Sequence, residues 1–129
     1  MTDAPAPDAP TVLLVDDEEA LADSLALWLE RRYHVRVAYS GHAALQAFDD
    51  DVDVVFLDQH LPGLSGETVL QELRGHSASD TPAVVMLSAS PSDELSDVPA
   101  DGVLTKPVTK TDIFDAVARC LDTHEVTVE

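Results

Sequence analysis

"VVFLDQHLPGLSG", residues 54–66, decides the fold. Four apolar residues run without interruption into Asp58, and a proline and two glycines then break the chain. An uninterrupted apolar run of this length reads as a parallel strand covered on both faces, since a half-exposed strand would alternate. An ionisable group at the end of such a strand is costly to hold there, so some chemistry must offset it.

The same pattern extends in both directions. "TVLLV" (11–15), "HVRVA" (34–38), "DVVFL" (53–57), "AVVML" (83–87) and "GVLT" (102–105) read as strands. Between them the apolar period changes to that of a helix. In 18–32, Leu21, Leu25, Trp28 and Leu29 make one stripe behind the acidic Glu18 and Glu19. Ser40 can cap a second helix carrying Ala44, Ala47 and Phe48, and Ser65 a third carrying Val69, Leu70 and Leu73. The last helix begins at Thr109, with Asp112 three residues on, and buries Ile113, Val117, Cys120 and Leu121. On that stripe Cys120 is a small buried hydrophobe rather than a reactive thiol. Little more than the minimum for a parallel crossover joins the fourth strand to the fifth, so the helix expected around Ser92–Val98 is short.

Strands alternating with helices give an α/β domain: one doubly wound, five-stranded parallel sheet of order 2-1-3-4-5, flavodoxin-like, with a short fourth helix. The domain is expected over 11–121. It is preceded by a proline-rich arm (1–10) expected to be disordered and followed by a tail or truncated linker (122–129).

Composition narrows the function. Twenty-five acids face seven bases, a net charge of −18, and only two of the bases are lysines. Self-repulsion of this size is relieved by salt, whose Debye length shrinks to about 3 Å at 1 M. The surface reads as that of a halophile, with docking of a basic partner as the competing reading. With no basic stripe to neutralise phosphates, direct nucleic-acid binding is not expected. No apolar run suits a membrane span or a secretion signal, and a lone cysteine fits a reducing compartment, so the expected location is cytoplasmic.

The strand ends converge. The first strand ends in Asp16-Asp17, the third in Asp58, the fourth in Ser88 and the fifth in Lys106-Pro107, while the second ends in Tyr39-Ser40. In the order 2-1-3-4-5, strands 1, 3, 4 and 5 are consecutive neighbours, and ligands bind at their carboxyl ends beside the switch point. Singly, each feature has a plainer reading as a cap or a loop. Together they open onto one crevice. Two carboxylates about 5 Å apart repel by roughly 3 kcal/mol at an effective dielectric near 20, so either one acid is protonated or a divalent cation binds. An all-oxygen site with open positions suits Mg²⁺. A carboxylate, a cation, a lysine and a hydroxyl are the parts of a phosphoryl-transfer site, with Asp58 as nucleophile.

At this point the sequence resembles the receiver domain of two-component response regulators (CheY-like). The resemblance covers about residues 11–121 and rests on "LLVDDEE", "VVFLDQHLPGLSG", "VVMLSAS" and "LTKPV". It implies that a phosphohistidine on a sensor histidine kinase donates its phosphoryl group to Asp58, and that the signal leaves by conformational change toward a downstream effector. Asp17, Asp58 and the backbone carbonyl of His60 would bind Mg²⁺ directly, with Asp16 acting through water. Ser88 and Lys106 would hold the phosphoryl oxygens, and the Lys106–Pro107 bond would be cis. The only chemistry implied is the domain's own phosphorylation and dephosphorylation. The acidic surface and short fourth helix further resemble haloarchaeal receivers.

Two positions depart from the family pattern. Val103 stands where aromatic-switch receivers carry Tyr or Phe, and His60 stands where a small residue, Met or Asn is usual. An aspartyl-phosphate phosphatase is one alternative, but such enzymes need a second Asp where His60 stands. A flavodoxin-like electron carrier would need a Gly/Ser/Thr phosphate loop where "DDEEA" stands. A receiver-like binding module that is never phosphorylated would not need the complete acid set. The chain reads either as a single-domain regulator or as a receiver cut from a longer protein.

Overall fold

The computed structural model describes residues 6–76, 82–89 and 100–125. The strands are β1 (Thr11–Val15), β2 (His34–Ala38), β3 (Val52–Asp58), β4 (Ala83–Ser88) and β5 (Gly102–Thr105). The helices are α1 (Glu19–Leu29), α2 (Gly41–Ala47), α3 (Gly66–His76) and α4 (Lys110–Glu125). All strand pairs are parallel and the order is β2-β1-β3-β4-β5, as the apolar runs require. The short helix expected around Ser92–Val98 lies outside the described residues. No helix among the described residues is long and apolar enough to cross a membrane.

The continuous runs divide by parity. Val12, Leu14, Val54, Phe56, Val85 and Leu87 pack with α1 and α4, whereas Leu13, Val15, Val55, Leu57, Val84 and Met86 pack with α2 and α3. Successive side chains of a strand point to opposite faces, so a sheet covered on both sides needs an apolar residue at every position. Each fully buried Leu, Val or Phe contributes about 1.5–3 kcal/mol of transfer free energy. The edge strands are less buried: only Ala38 of β2 is buried, and β5 alternates between half-buried and exposed. Val103, on β5, is 48% exposed.

Local chemistry fixes the joints. Ser40 Oγ accepts from Ala43 N at 3.1 Å, and Ser65 Oγ accepts from Thr68 N at 3.2 Å, so both serines cap as their positions predict. Thr109 and Asp112 form a reciprocal capping box at the start of α4. The first helix is shorter than the 18–32 expected. It stops at Leu29, and Arg32 N and Tyr33 N both close onto Leu29 O, turning the chain into β2. A register shift between Thr11 and Val12 is stabilised by Asp53 Oδ2, which accepts from Thr11 N at 2.9 Å. The described part of the N-terminal arm, 6–10, forms a turn that hydrogen-bonds to the start of β2. Ala9 N donates to Ala6 O, His34 N donates to Pro10 O, and the His34 ring bonds Ala6 O at 2.9 Å. Prolines limit the conformations this segment must give up, and β2 supplies the hydrogen bonds.

Candidate functional site

β1 and β3 are direct neighbours while β2 lies outside β1, which places the topological switch at their carboxyl ends. There Asp16, Asp17 and Asp58 each offer a carboxylate oxygen, all within 4.8 Å of one another. Asp16 and Asp58 are buried and Asp17 is exposed at the mouth. Lys106, just beyond β5, reaches back with Nζ 2.9 Å from Asp16 Oδ2 and 3.5 Å from Asp58 Oδ2. Its peptide bond to Pro107 is cis.

Asp16 has two roles. Its Oδ1 accepts from Glu18 N at 2.9 Å, which satisfies a free donor at the start of α1. This is a turn leading into the helix, whose N-cap is Glu18 and has no side-chain capping bond of its own. Its Oδ2 is fully buried and has no aligned hydrogen-bond donor, so the ammonium beside it is a charge contact off the hydrogen-bond direction. A buried carboxylate oxygen without an aligned donor, facing two other carboxylates, fits a hard divalent cation.

Among the described acids, Asp58 is the one perturbed most. Burial, and then the negative charge of Asp16, raise its pKa from 3.8 to about 6, against the opposing pull of Lys106 and of the His60 N–H. That N–H donates to Asp58 Oδ1 at 3.2 Å. Burial works against the charge of Lys106, but its contacts with Asp16 and Asp58 outweigh it and hold the ammonium above its ordinary pKa. At pH 7 the site therefore contains an ionised lysine and an aspartate that is mostly ionised but easily protonated.

Ser88 closes β4, buried and in register with Thr105, and its carbonyl accepts from Lys106 N at 2.7 Å. Gln59 N donates to Leu87 O at 3.0 Å, which ties the end of β3 to that of β4. The structure thus brings Asp16, Asp17, Asp58 and Lys106 together, sets Ser88 at the end of the strand beside Asp58, and leaves the His60 side chain exposed on the loop.

One essential contact was not visible in the sequence. A Cβ built on Gly66 would lie 2.4 Å from the carbonyl oxygen of Asp58 and 3.0 Å from Gln59 Cα. The start of α3 therefore rests on the backbone of the acidic strand end, and Gly66 N donates to Gln59 O at 3.0 Å. The turn between them passes through Gly63 at φ +84°, a left-handed conformation that favours glycine. The second glycine after Asp58 was the only signal of the close approach.

Comparison with known proteins agrees with this arrangement. The family model of the response regulator receiver domain matches residues 12–118. A Haloferax volcanii protein described as a transcriptional regulator is 39% identical over 111 residues, covering 85% of this chain and 19% of that protein. The sensory transduction protein RegX3 of Mycobacterium bovis is 37% identical over 120 residues, covering 86% of this chain and 50% of its own. The chain thus spans half or less of these two relatives. Among solved structures, the CheY-like receiver domain from Methanospirillum hungatei superposes with a TM-score of 0.78 at 25% identity, over 92% of this chain and 98% of that one. The receiver domain of a LuxO repressor protein from Vibrio parahaemolyticus gives 0.81 at 26% identity, over 92% and 95%. The Haloferax likeness supports the haloarchaeal, halophilic character read from the acid excess.

Proposed function

The chain belongs to the response regulator receiver domain family, the phosphoacceptor module of two-component signalling, and from that premise we propose that Asp58 is the residue phosphorylated. The observation that carries the assignment is the meeting of the Asp16, Asp17 and Asp58 carboxylates with the Lys106 ammonium at the switch point.

In this reading a carboxylate oxygen of Asp58 attacks the phosphorus of a phosphohistidine on a sensor histidine kinase. The new P–O bond makes an acyl phosphate as the P–N bond breaks, and the electron pair leaves on the donor imidazole. Asp17, Asp58 and the His60 carbonyl would hold Mg²⁺ directly, with Asp16 acting through water. When bound, the ion neutralises carboxylate and phosphoryl charge. Lys106 is already placed to stay with the phosphoryl group as charge moves onto it, since its ammonium is ionised and contacts Asp58. Ser88, at the neighbouring strand end, offers a hydroxyl for a phosphoryl oxygen. The His60 N–H orients Asp58 by holding Oδ1, which leaves Oδ2 facing Lys106. The chemistry is confined to the domain's own carboxylate, and a downstream effector reads its state.

The test is incubation with a small acyl-phosphate donor and Mg²⁺, followed by intact-mass measurement. One added phosphoryl group is expected, absent in Asp58→Asn and absent with EDTA. Equal labelling of the mutant would move the acceptor elsewhere.

A further inference from the structure

The seven bases are few enough to follow individually. Lys106 holds Asp16 and Asp58, Arg36 holds Asp49 at 3.0 Å, and Arg74 holds Asp101 at 3.6 Å. These three serve the fold and the site. Arg31, Arg32 and Lys110 line one open groove of about 430 Å³, between the end of α1 and the first turns of α4. Thr111, Phe114 and a single acid, Asp115, complete it. All three cations are exposed, and Lys110 forms no ion pair among the described residues.

Phe114 organises the groove. The Arg32 guanidinium carbon lies 4.9 Å from its ring centroid, and Tyr33 packs at 6.3 Å between centroids. This cation–π contact holds the guanidinium over the ring face, and a guanidinium so held keeps N–H groups with which to bind a carboxylate. Lys110 stands one helical turn, about 6 Å of rise, before Phe114 in α4. On a molecule of net charge −18, a groove with three cations and one acid favours carboxylates over a basic surface.

We propose that this groove docks an acidic segment of a partner protein, with carboxylates spaced about one helical turn apart. The rest of the surface repels such a partner over a Debye length of about 10 Å at 0.1 M salt, but over only about 3 Å at 1 M. Strong salt therefore removes the long-range repulsion and leaves the contacts in the groove. A stacked, weakly hydrated guanidinium is the cation best suited to keep a carboxylate there. The proposal is independent of the chemistry at Asp58, and Asp58→Asn protein should dock equally well.

The test is an NMR titration of the isotope-labelled chain with an oligoglutamate peptide in about 1 M KCl. Saturable amide shifts centred on residues 30–33 and 109–115 are expected, with an oligolysine peptide leaving those residues unmoved. Lys110→Glu should weaken binding roughly threefold or more, and Lys110→Arg should restore it. An acid in the first turn of a helix favours the fold, so loss of binding in Lys110→Glu is not loss of structure. Absence of saturable shifts, or equal binding by Lys110→Glu, would overturn the proposal. So would tighter binding of tripolyphosphate than of the peptide at the same residues, since it would mark a site for small anions.

Discussion

The Lys106 ammonium leans toward Asp16: its Nζ lies 2.9 Å from Asp16 Oδ2 and 3.5 Å from Asp58 Oδ2. The one cation that the described residues bring to the crevice is thus shared unequally between two buried acids. Asp58 receives the smaller part, and burial together with the Asp16 charge raises its pKa to about 6. The residue proposed as nucleophile is also the one least reconciled to its charge.

Metal-free stability should carry this signature. Between the unfolded value of 3.8 and the folded value of about 6, the native state binds more protons at Asp58, so its contribution is present at low pH and lost as pH rises through 6. The shift corresponds to an upper bound on the order of 3 kcal/mol. In EDTA, Asp58→Asn should match wild type near pH 4 and exceed it by about 2 kcal/mol by pH 7, as measured by urea unfolding. A gap that does not change with pH would contradict this account.

Mg²⁺ must compete with the same proton. Its affinity should fall as pH drops through 6, and binding near pH 6 should release protons, both measurable by calorimetry in buffers of different ionisation enthalpy. At a hundred times its dissociation constant the ion should stabilise the native state by about 2.7 kcal/mol. Asp17→Ala should lose this Mg²⁺ response and keep the stabilisation by KCl. Equal Mg²⁺ responses in the two proteins would place the cation away from Asp17.

Two glycines of α3 should respond oppositely to alanine. At Gly66 the new methyl would collide with the Asp58 carbonyl, costing about 1–3 kcal/mol and slowing phosphorylation by moving the acceptor. At Gly75 nothing lies within 4 Å, so the substitution should stabilise by about 0.5–1 kcal/mol through helix propensity. Thermal melts of both variants, with phosphorylation rates, check the pair.

Cys120 is buried against the sheet, and burial raises its thiol pKa. Alkylation should therefore be slow in the native protein and should follow the unfolded fraction across a urea series. Rapid labelling without urea would show that α4 opens locally at Cys120.

The sequence was most informative where one requirement dominates. Burial on both faces dictated β1, β3 and β4, and capping chemistry placed the starts of α2, α3 and α4 at Ser40, Ser65 and Thr109. The acids and the lysine could be assigned to one crevice because strand order alone determines which strand ends are neighbours. What remained hidden depends on how elements approach in space. The Gly66 contact with Asp58 involves a backbone oxygen, which no residue type encodes. The Arg36 clamp on α2, where Nη1 donates to Ala47 O at 2.8 Å and pairs with Asp49, joins a strand to the end of the next helix. The grouping of Arg31 and Arg32 with Lys110 arises only when α1 and α4 pack side by side. The region around Ser92–Val98 lies outside the described residues, so the short helix expected there stands as a reading of crossover length.

Asp16, Asp58 and Lys106 arrive on three strands far apart in sequence, and they meet only when β1, β3, β4 and β5 are aligned. The repulsion of Asp16 and Asp58 needs only β1 beside β3, whereas the Lys106 ammonium that offsets it arrives with β5. Where the rate-limiting step precedes the pairing of β1 with β3, a cation that relieves this repulsion acts only on the ordered sheet. Such an ion should leave the folding limb of a chevron almost unmoved and lower the unfolding limb. Mg²⁺ would then govern how long each native molecule persists, and a charged crevice would set the lifetime of the domain as well as its readiness to be phosphorylated.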